Sequence, residues 1–133
     1  MIYLTAVSDI SERSKFNTCV ENVPEGYLDR VWGITELSST TFKRVKEKDW
    51  ILFYNKGLIV GISEVKETKI DRTLSLKLWG SYSHKFNGQL HWDNILVLAN
   101  YTALKMPFME IIAIGNYKDN FSIRRFLCLN QNG

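Results

Sequence analysis

Only two cysteines occur in the 133 residues, Cys19 and Cys128, at opposite ends of the chain and in no metal-ligand spacing. That count argues against a disulfide framework and against a zinc cage, and makes a reducing compartment the expectation. With two prolines and no Gly/Ser/Pro-rich stretch, the chain offers no candidate linker. Long hydrophobic runs are missing too: the longest, such as Ile95 to Ala99, fall far short of a bilayer. The start, Met1-Ile2-Tyr3-Leu4-Thr5, lacks the basic and apolar regions of a secretory signal. A cytoplasmic protein that meets no membrane is therefore expected. Histidines are as scarce, His84 and His91 alone, and no GxSxG, HExxH, P-loop, CxxC or dinucleotide fingerprint occurs. An enzyme reading so lacks its nucleophile, its metal cage and its spaced acid–base pair, and neither a cofactor nor a metal is expected.

What is there is a globular composition, 45% hydrophobic and 23% charged. One domain over residues 1–133 is expected, burying roughly two thirds of the surface its unfolded form exposes. The net charge of +3 is unevenly spread, with 10 basic against 11 acidic residues up to position 71 and 7 against 3 beyond it. A basic face in the second half would suit a polyanion partner, although solvated faces of one sign are common.

Along the chain, Ile2 to Val7 reads as a strand ending at Ser8-Asp9, a pair suited to cap a helix. Phe16, Cys19, Val20 and Val23 recur at helical steps until Pro24, which predicts one apolar helix stripe on a sheet. Val31 to Ile34 is a short strand. Ser38-Ser39-Thr40 can cap a second helix, with Phe42 and Val45 buried and Lys43, Arg44, Lys46 and Lys48 facing water. Trp50–Tyr54 and Leu58–Val65 flank Asn55-Lys56-Gly57, a hairpin signal. Leu74 to Leu78 alternates like a half-buried strand and leads into a loop, Trp79 to His84. Leu90 to Leu98 predicts another strand, Met106 to Ile114 fits helix or strand, and Phe121 to Leu129 carries Arg124-Arg125 before a final strand or short helix. The order predicts an α+β fold in which a sheet curls into a partly closed barrel beside short helices.

Four tryptophans stand out in so small a domain. Trp50 and Trp92 lie inside strand patterns, where core packing is the expectation. Trp32 and Trp79 each end a strand pattern beside a glycine, Gly33 or Gly80. There the ring can serve the core or face a cavity, and the sequence leaves both open.

Three blocks, Val31-Trp32-Gly33-Ile34, then Thr41 to Tyr54, then Ile59 to Val65, resemble the EVE domain of the PUA-like superfamily. Its VWGV, L-x-x-V-K-x-G-D-x-hydrophobic-x-F-Y and V-G-x-x-E-V blocks have near counterparts here in the same order, with Ile34, Phe42 and Lys48 as departures, covering about half the chain. The layout is also similar to the YTH readers of N6-methyladenine, with Trp32, Trp79 and the pair His91-Trp92 at matching places. The resemblance implies a PUA-like curved sheet and a pocket that stacks a base swung out of nucleic acid. On it, Trp32 and Trp79 are two walls, the third falls near Tyr82 or His84, and Ser8 and Asp9 meet the base edge. Gly33 replaces the Ser or Cys of YTH proteins, so a contact there would come from its backbone. The GxKxxExR signature of the related ASCH branch is missing. Such domains also target McrB-type restriction GTPases to modified DNA, and the ending Gln131-Asn132-Gly133 is compatible with an excised module, a stand-alone EVE protein being the alternative.

The expected function is therefore a DNA-binding reader of a base of the N6-methyladenine or methylcytosine class, not an enzyme, as part of a restriction system. Base flipping costs a few kcal/mol, so phosphate contacts are needed, with Lys56, Lys85, Lys105, Arg124 and Arg125 as candidates. Three alternatives remain. One is an RNA-binding PUA-like module, one a base- or nucleotide-modifying enzyme using Asp9 and His84, and one a protein-interaction domain whose aromatics are all core.

Overall fold

The β-rich start of the chain forms β1 (Ile2–Ala6) in a computed structural model that describes residues 1–7, 11–84, 88–110 and 126–129. Helix α1 (Ser11–Phe16) follows and widens into a π turn over Asn17–Glu21. Phe16, Cys19 and Val20 are completely buried, as their spacing predicts. Val23 is not part of that stripe: the backbone is already extended at Asn22, which leaves Val23 exposed.

Strand β2 (Arg30–Ile34) leads through a 3-10 turn, Glu36–Ser38, into α2 (Ser39–Phe42). Phe42 and Val45 pack inward while Lys43, Arg44, Lys46 and Lys48 face solvent. Strands β3 (Trp50–Asn55) and β4 (Leu58–Ile70) form the expected hairpin. Its central residues, Lys56 and Gly57, both have positive φ, 45° and 82°, the geometry that matches the twist of paired strands. Trp50, expected in the core, is 36% exposed. It opens β3 on the face of Leu52, where the core is the smaller of two.

Further along, the structure departs from the expected strands. Residues Arg72–Leu78 form a helix, α3, because Asp71 caps it: its side-chain Oδ1 accepts the Leu74 N–H at 2.9 Å. The leucine alternation arises from helix spacing, with Leu74 buried and Leu76 half exposed. The expected loop after Trp79 contains β5 (Ser81–His84), paired with β6 (Gly88–His91) in a two-stranded sheet. The expected strand Leu90–Leu98 is broken at Trp92-Asp93, and β7 (Asn94–Pro107) begins beyond the break. Strand β8 (Leu127–Leu129) pairs antiparallel with β1.

Six strands make one mixed sheet in the order β2-β7-β4-β3-β1-β8, with β1 and β3 parallel and the other pairs antiparallel. Register shifts between β4 and β7 after Ile59, Ile62 and Val65 bend these long strands, so the sheet is curved. Among the described residues it is not closed: β2 and β8 are its two edges and do not pair with each other. The fold is thus α+β with a curved open sheet, and the partly closed barrel expected from the sequence is corrected on this point. The larger core lies under the short helices and joins Tyr3, Phe16, Trp32, Phe42, Phe53 and Val65 with Leu74 and Ile95. The opposite face carries Leu4, Leu52, Ile59 and Phe108. Each such side chain contributes roughly 1.5–3 kcal/mol by leaving water.

Candidate functional site

Two elements far apart in sequence bring the expected aromatic residues together. Trp32 comes from the middle of β2, and Trp79 is the residue at which α3 ends. Their ring centroids lie 6.4 Å apart at an interplanar angle of 84°. Trp32 makes two further edge contacts, with Phe16 at 5.7 Å and with Phe53 at 6.1 Å, and is 4% exposed. Trp79 is only partly buried and packs on the rim of the same core.

This geometry corrects one expectation. A base held between two parallel rings needs them about 7–8 Å apart, twice the ordinary carbon–carbon contact distance. Trp32 and Trp79 instead touch edge to face, so no base-wide slot lies between them. The pair forms a corner, with Trp32 inside and Trp79 outward.

Gly33 explains how the corner is assembled. A Cβ at this position would stand 2.6 Å from Trp92 Cβ and 3.0–3.1 Å from two atoms of the Trp79 ring. Only a glycine lets both tryptophans close on β2, which gives a physical reason for the departure from Ser or Cys. Trp92 is only partly buried, contrary to its expected place in the core. It is seated by the hydroxyl of Ser75, which accepts the Trp92 N–H at 2.9 Å.

A polar network fastens this assembly from behind. The Arg72 Nε–H donates to both oxygens of Asp93, at 2.8 and 2.7 Å, and Arg72 Nη2 lies 3.6 Å from Glu36. His91 Nδ1 stands 3.3 Å from the same Glu36 oxygen. The Asn94 amide donates to the Thr35 carbonyl and to the Ser39 hydroxyl. Together these bonds tie α3, the turn after β2 and the β6–β7 break to one another. Sequence reasoning missed the network, and the one local signal for it was Asp71 as a helix cap before Arg72.

Of the remaining expected site residues, Ser8, Asp9, Lys85, Arg124 and Arg125 lie outside the described residues. Tyr82 and His84 stand on β5, which begins two residues beyond Trp79, but their side chains also lie outside the described part. Gly80 turns the chain between them at φ 72°. Lys56 and Lys105 belong to the far end of the sheet, where Leu58 pairs with Pro107. Trp32 pairs with Leu96, nine residues along β7 from Lys105, a separation of up to about 30 Å. The structure therefore brings together Trp32, Gly33 and Trp79, and does not bring Lys56 or Lys105 to them.

The chemistry available among the described residues is sparse. Burial pushes the Cys19 thiol up to about 11, only partly opposed by Lys15, so at neutral pH it is a packed, protonated group and not a nucleophile. Tyr3 is also raised, first by burial and then by Cys128 and Asp49. Among the described residues no three His, Cys, Asp or Glu side chains gather into a metal-holding group, and no helix is long and apolar enough to cross a membrane. Comparison with family models and with curated proteins finds no match for the chain.

Proposed function

We propose that this chain is a nucleic-acid reader of the EVE/YTH-like type, with a PUA-like sheet, that captures a flipped modified base at the Trp32–Gly33–Trp79 corner. The observation that carries the reading is the seating of Trp79. A large aromatic ring is held partly exposed and perpendicular to a buried partner, over a glycine where an added Cβ would crowd both Trp92 and Trp79. In this reading Trp79 is the stacking surface and Trp32 the support that fixes its tilt, with the third wall left to Tyr82 or His84 on β5. Stacking on one such ring is worth about 1–3 kcal/mol, and a methyl group buried beside it adds roughly 0.8 kcal/mol. The favoured ligand is DNA carrying N6-methyladenine or a methylcytosine, and the favoured context is targeting of an McrB-like restriction GTPase.

Trp79→Ala is the informative variant, because Trp32→Ala would empty the core and cost about 3–5 kcal/mol. Titration with methylated duplex, plain duplex, single strands and RNA should show tighter binding of methylated DNA by the parent. That preference should vanish in Trp79→Ala and persist in Trp79→Phe, with melting curves close to the parent's. A preference that survives Trp79→Ala refutes the site. A parent that binds structured RNA best, or turns over a modified nucleoside, replaces the reading with one of its rivals.

A further inference from the structure

Six residues after α2 carry four cations, Lys43, Arg44, Lys46 and Lys48, against the single exposed acid Glu47. Elsewhere the described cations are mostly engaged. Lys66, Lys69 and Arg72 pair with carboxylates, and Arg30 and Lys77 sit over tyrosine rings. The four in this loop make no ion pair among the described residues.

The loop is also held in shape. Val45 anchors it in the core, Lys48 N–H donates to the Val65 carbonyl at 2.8 Å, and Val65 N–H donates back to the Asp49 carbonyl at 2.8 Å. Asp49, the acid that would oppose an anion, is already satisfied: Oδ2 accepts the Lys46 N–H at 2.8 Å and Oδ1 pairs with the amino group of Met1 at 3.1 Å. Beside it opens a cavity of about 280 Å³ lined by Met1, Tyr3, Arg44, Lys46 and Asp49. The cavity is at the small end for a ligand site, with room for a phosphate and its sugar more readily than for a whole nucleotide. Lys48 itself stands at φ 74°, where glycine is the unstrained choice.

We propose that this loop, with Arg44 and Lys46 as its principal cations, is a phosphate-binding site that takes a backbone phosphodiester of the bound nucleic acid. The inference rests on the nucleic-acid reading of the aromatic corner and adds a second contact to it. Trp32 packs edge-on against Phe53, which stands on the same face of β3 as Ile51, the partner of Tyr3, so the cavity and the corner share one side of the sheet. They lie near opposite edges, four inter-strand steps apart in the order β2-β7-β4-β3-β1, or about 19 Å measured along the sheet. One strand of a duplex covers that span with about six phosphates, so a single strand can reach both places.

The test is the salt dependence of binding to a plain duplex, measured by fluorescence anisotropy between about 50 and 200 mM salt. The parent is compared with the double variant Arg44→Gln/Lys46→Gln and with a control, Lys69→Gln, whose cation already has a carboxylate partner. Losing two phosphate contacts should flatten the slope of log K against log salt by about 1.8, and the control should leave it unchanged. The ratio of modified to plain binding should stay that of the parent. If the double variant melts early, Lys46→Gln alone is used, with an expected change of about 0.9. A slope identical to the parent's, or an equal loss in the control, overturns the phosphate site while leaving the reader intact. A parent that binds no nucleic acid at all overturns both. Trp79→Ala should do the reverse of the double variant, removing the preference and keeping the slope.

Discussion

Replacing Gly33 by alanine tests the claim that two indoles close on β2 because nothing projects there. The added Cβ would lie 2.6 Å from Trp92 Cβ, against an ordinary carbon–carbon contact of about 3.5–4.0 Å, so roughly 1 Å must be found. Rotation of a side chain cannot supply it, because a Cβ moves only with its main chain. The Trp92 N–H is bound to the buried Ser75 hydroxyl, which would have to move or lose its partner. Overpacking of this kind costs about 1–3 kcal/mol. Against it stands the smaller entropy of the unfolded alanine chain, about 0.4–1 kcal/mol, available because the φ of Gly33 is not positive. The expected net loss is therefore about 1–2 kcal/mol, read as a lower urea midpoint at unchanged m-value. Adding Trp79→Ala should relieve the contacts at 3.0 and 3.1 Å but not the one to Trp92, giving a coupling of about 0.5–1 kcal/mol in a double-mutant cycle. A Gly33→Ala protein as stable as the parent would refute the packing argument.

Three further outcomes follow from particular contacts. Arg72→Ala strips the nearly buried Asp93 carboxylate of its partner and should cost about 1–3 kcal/mol in urea unfolding, whereas Lys66→Ala, which breaks an exposed pair with Asp29, should stay within about 0.5 kcal/mol. Lys48→Gly removes the strain of a left-handed lysine and should raise stability by about 0.5–1 kcal/mol; a fall in midpoint would refute the strain. The raised Cys19 thiol stabilises the fold fully below its ordinary value of 9.0 and loses that contribution as pH rises towards about 11, because the unfolded chain releases the proton first. Stability should fall across that window by about 1.4 kcal/mol per pH unit from this group alone, and Cys19→Ala should show a correspondingly shallower decline.

How much of this was legible in the sequence depended on whether the deciding contacts were local. Turn chemistry at Lys56-Gly57 and the two-sided pattern of residues 42–48 are settled within a few residues, and both read correctly. Leu74, Leu76 and Leu78 misled because the step of four from Leu74 to Leu78 fits a strand and a helix alike, while in the helix Leu76 falls on the other side and is half exposed. Asp71, whose side chain reaches the Leu74 N–H, decided between them. Trp50 misled for a different reason: its strand was read correctly, but exposure depends on what covers each face, and the smaller core does not reach the head of β3.

The candidate site was legible as a set of residues and not as a geometry. That Trp32 and Trp79 would meet could be anticipated from the resemblance, but their angle could not. It follows from where α3 stops and from the Arg72–Asp93 and Ser75–Trp92 bonds that hold α3 against the β6–β7 break. Each of those bonds joins residues 17 or 21 apart, across elements the sequence reading had assigned differently. The angle in turn divides the labour between the two rings. A perpendicular pair buries one indole to orient the other, so selectivity should follow the outward ring, and substitutions at Trp32 should be felt first as lost stability.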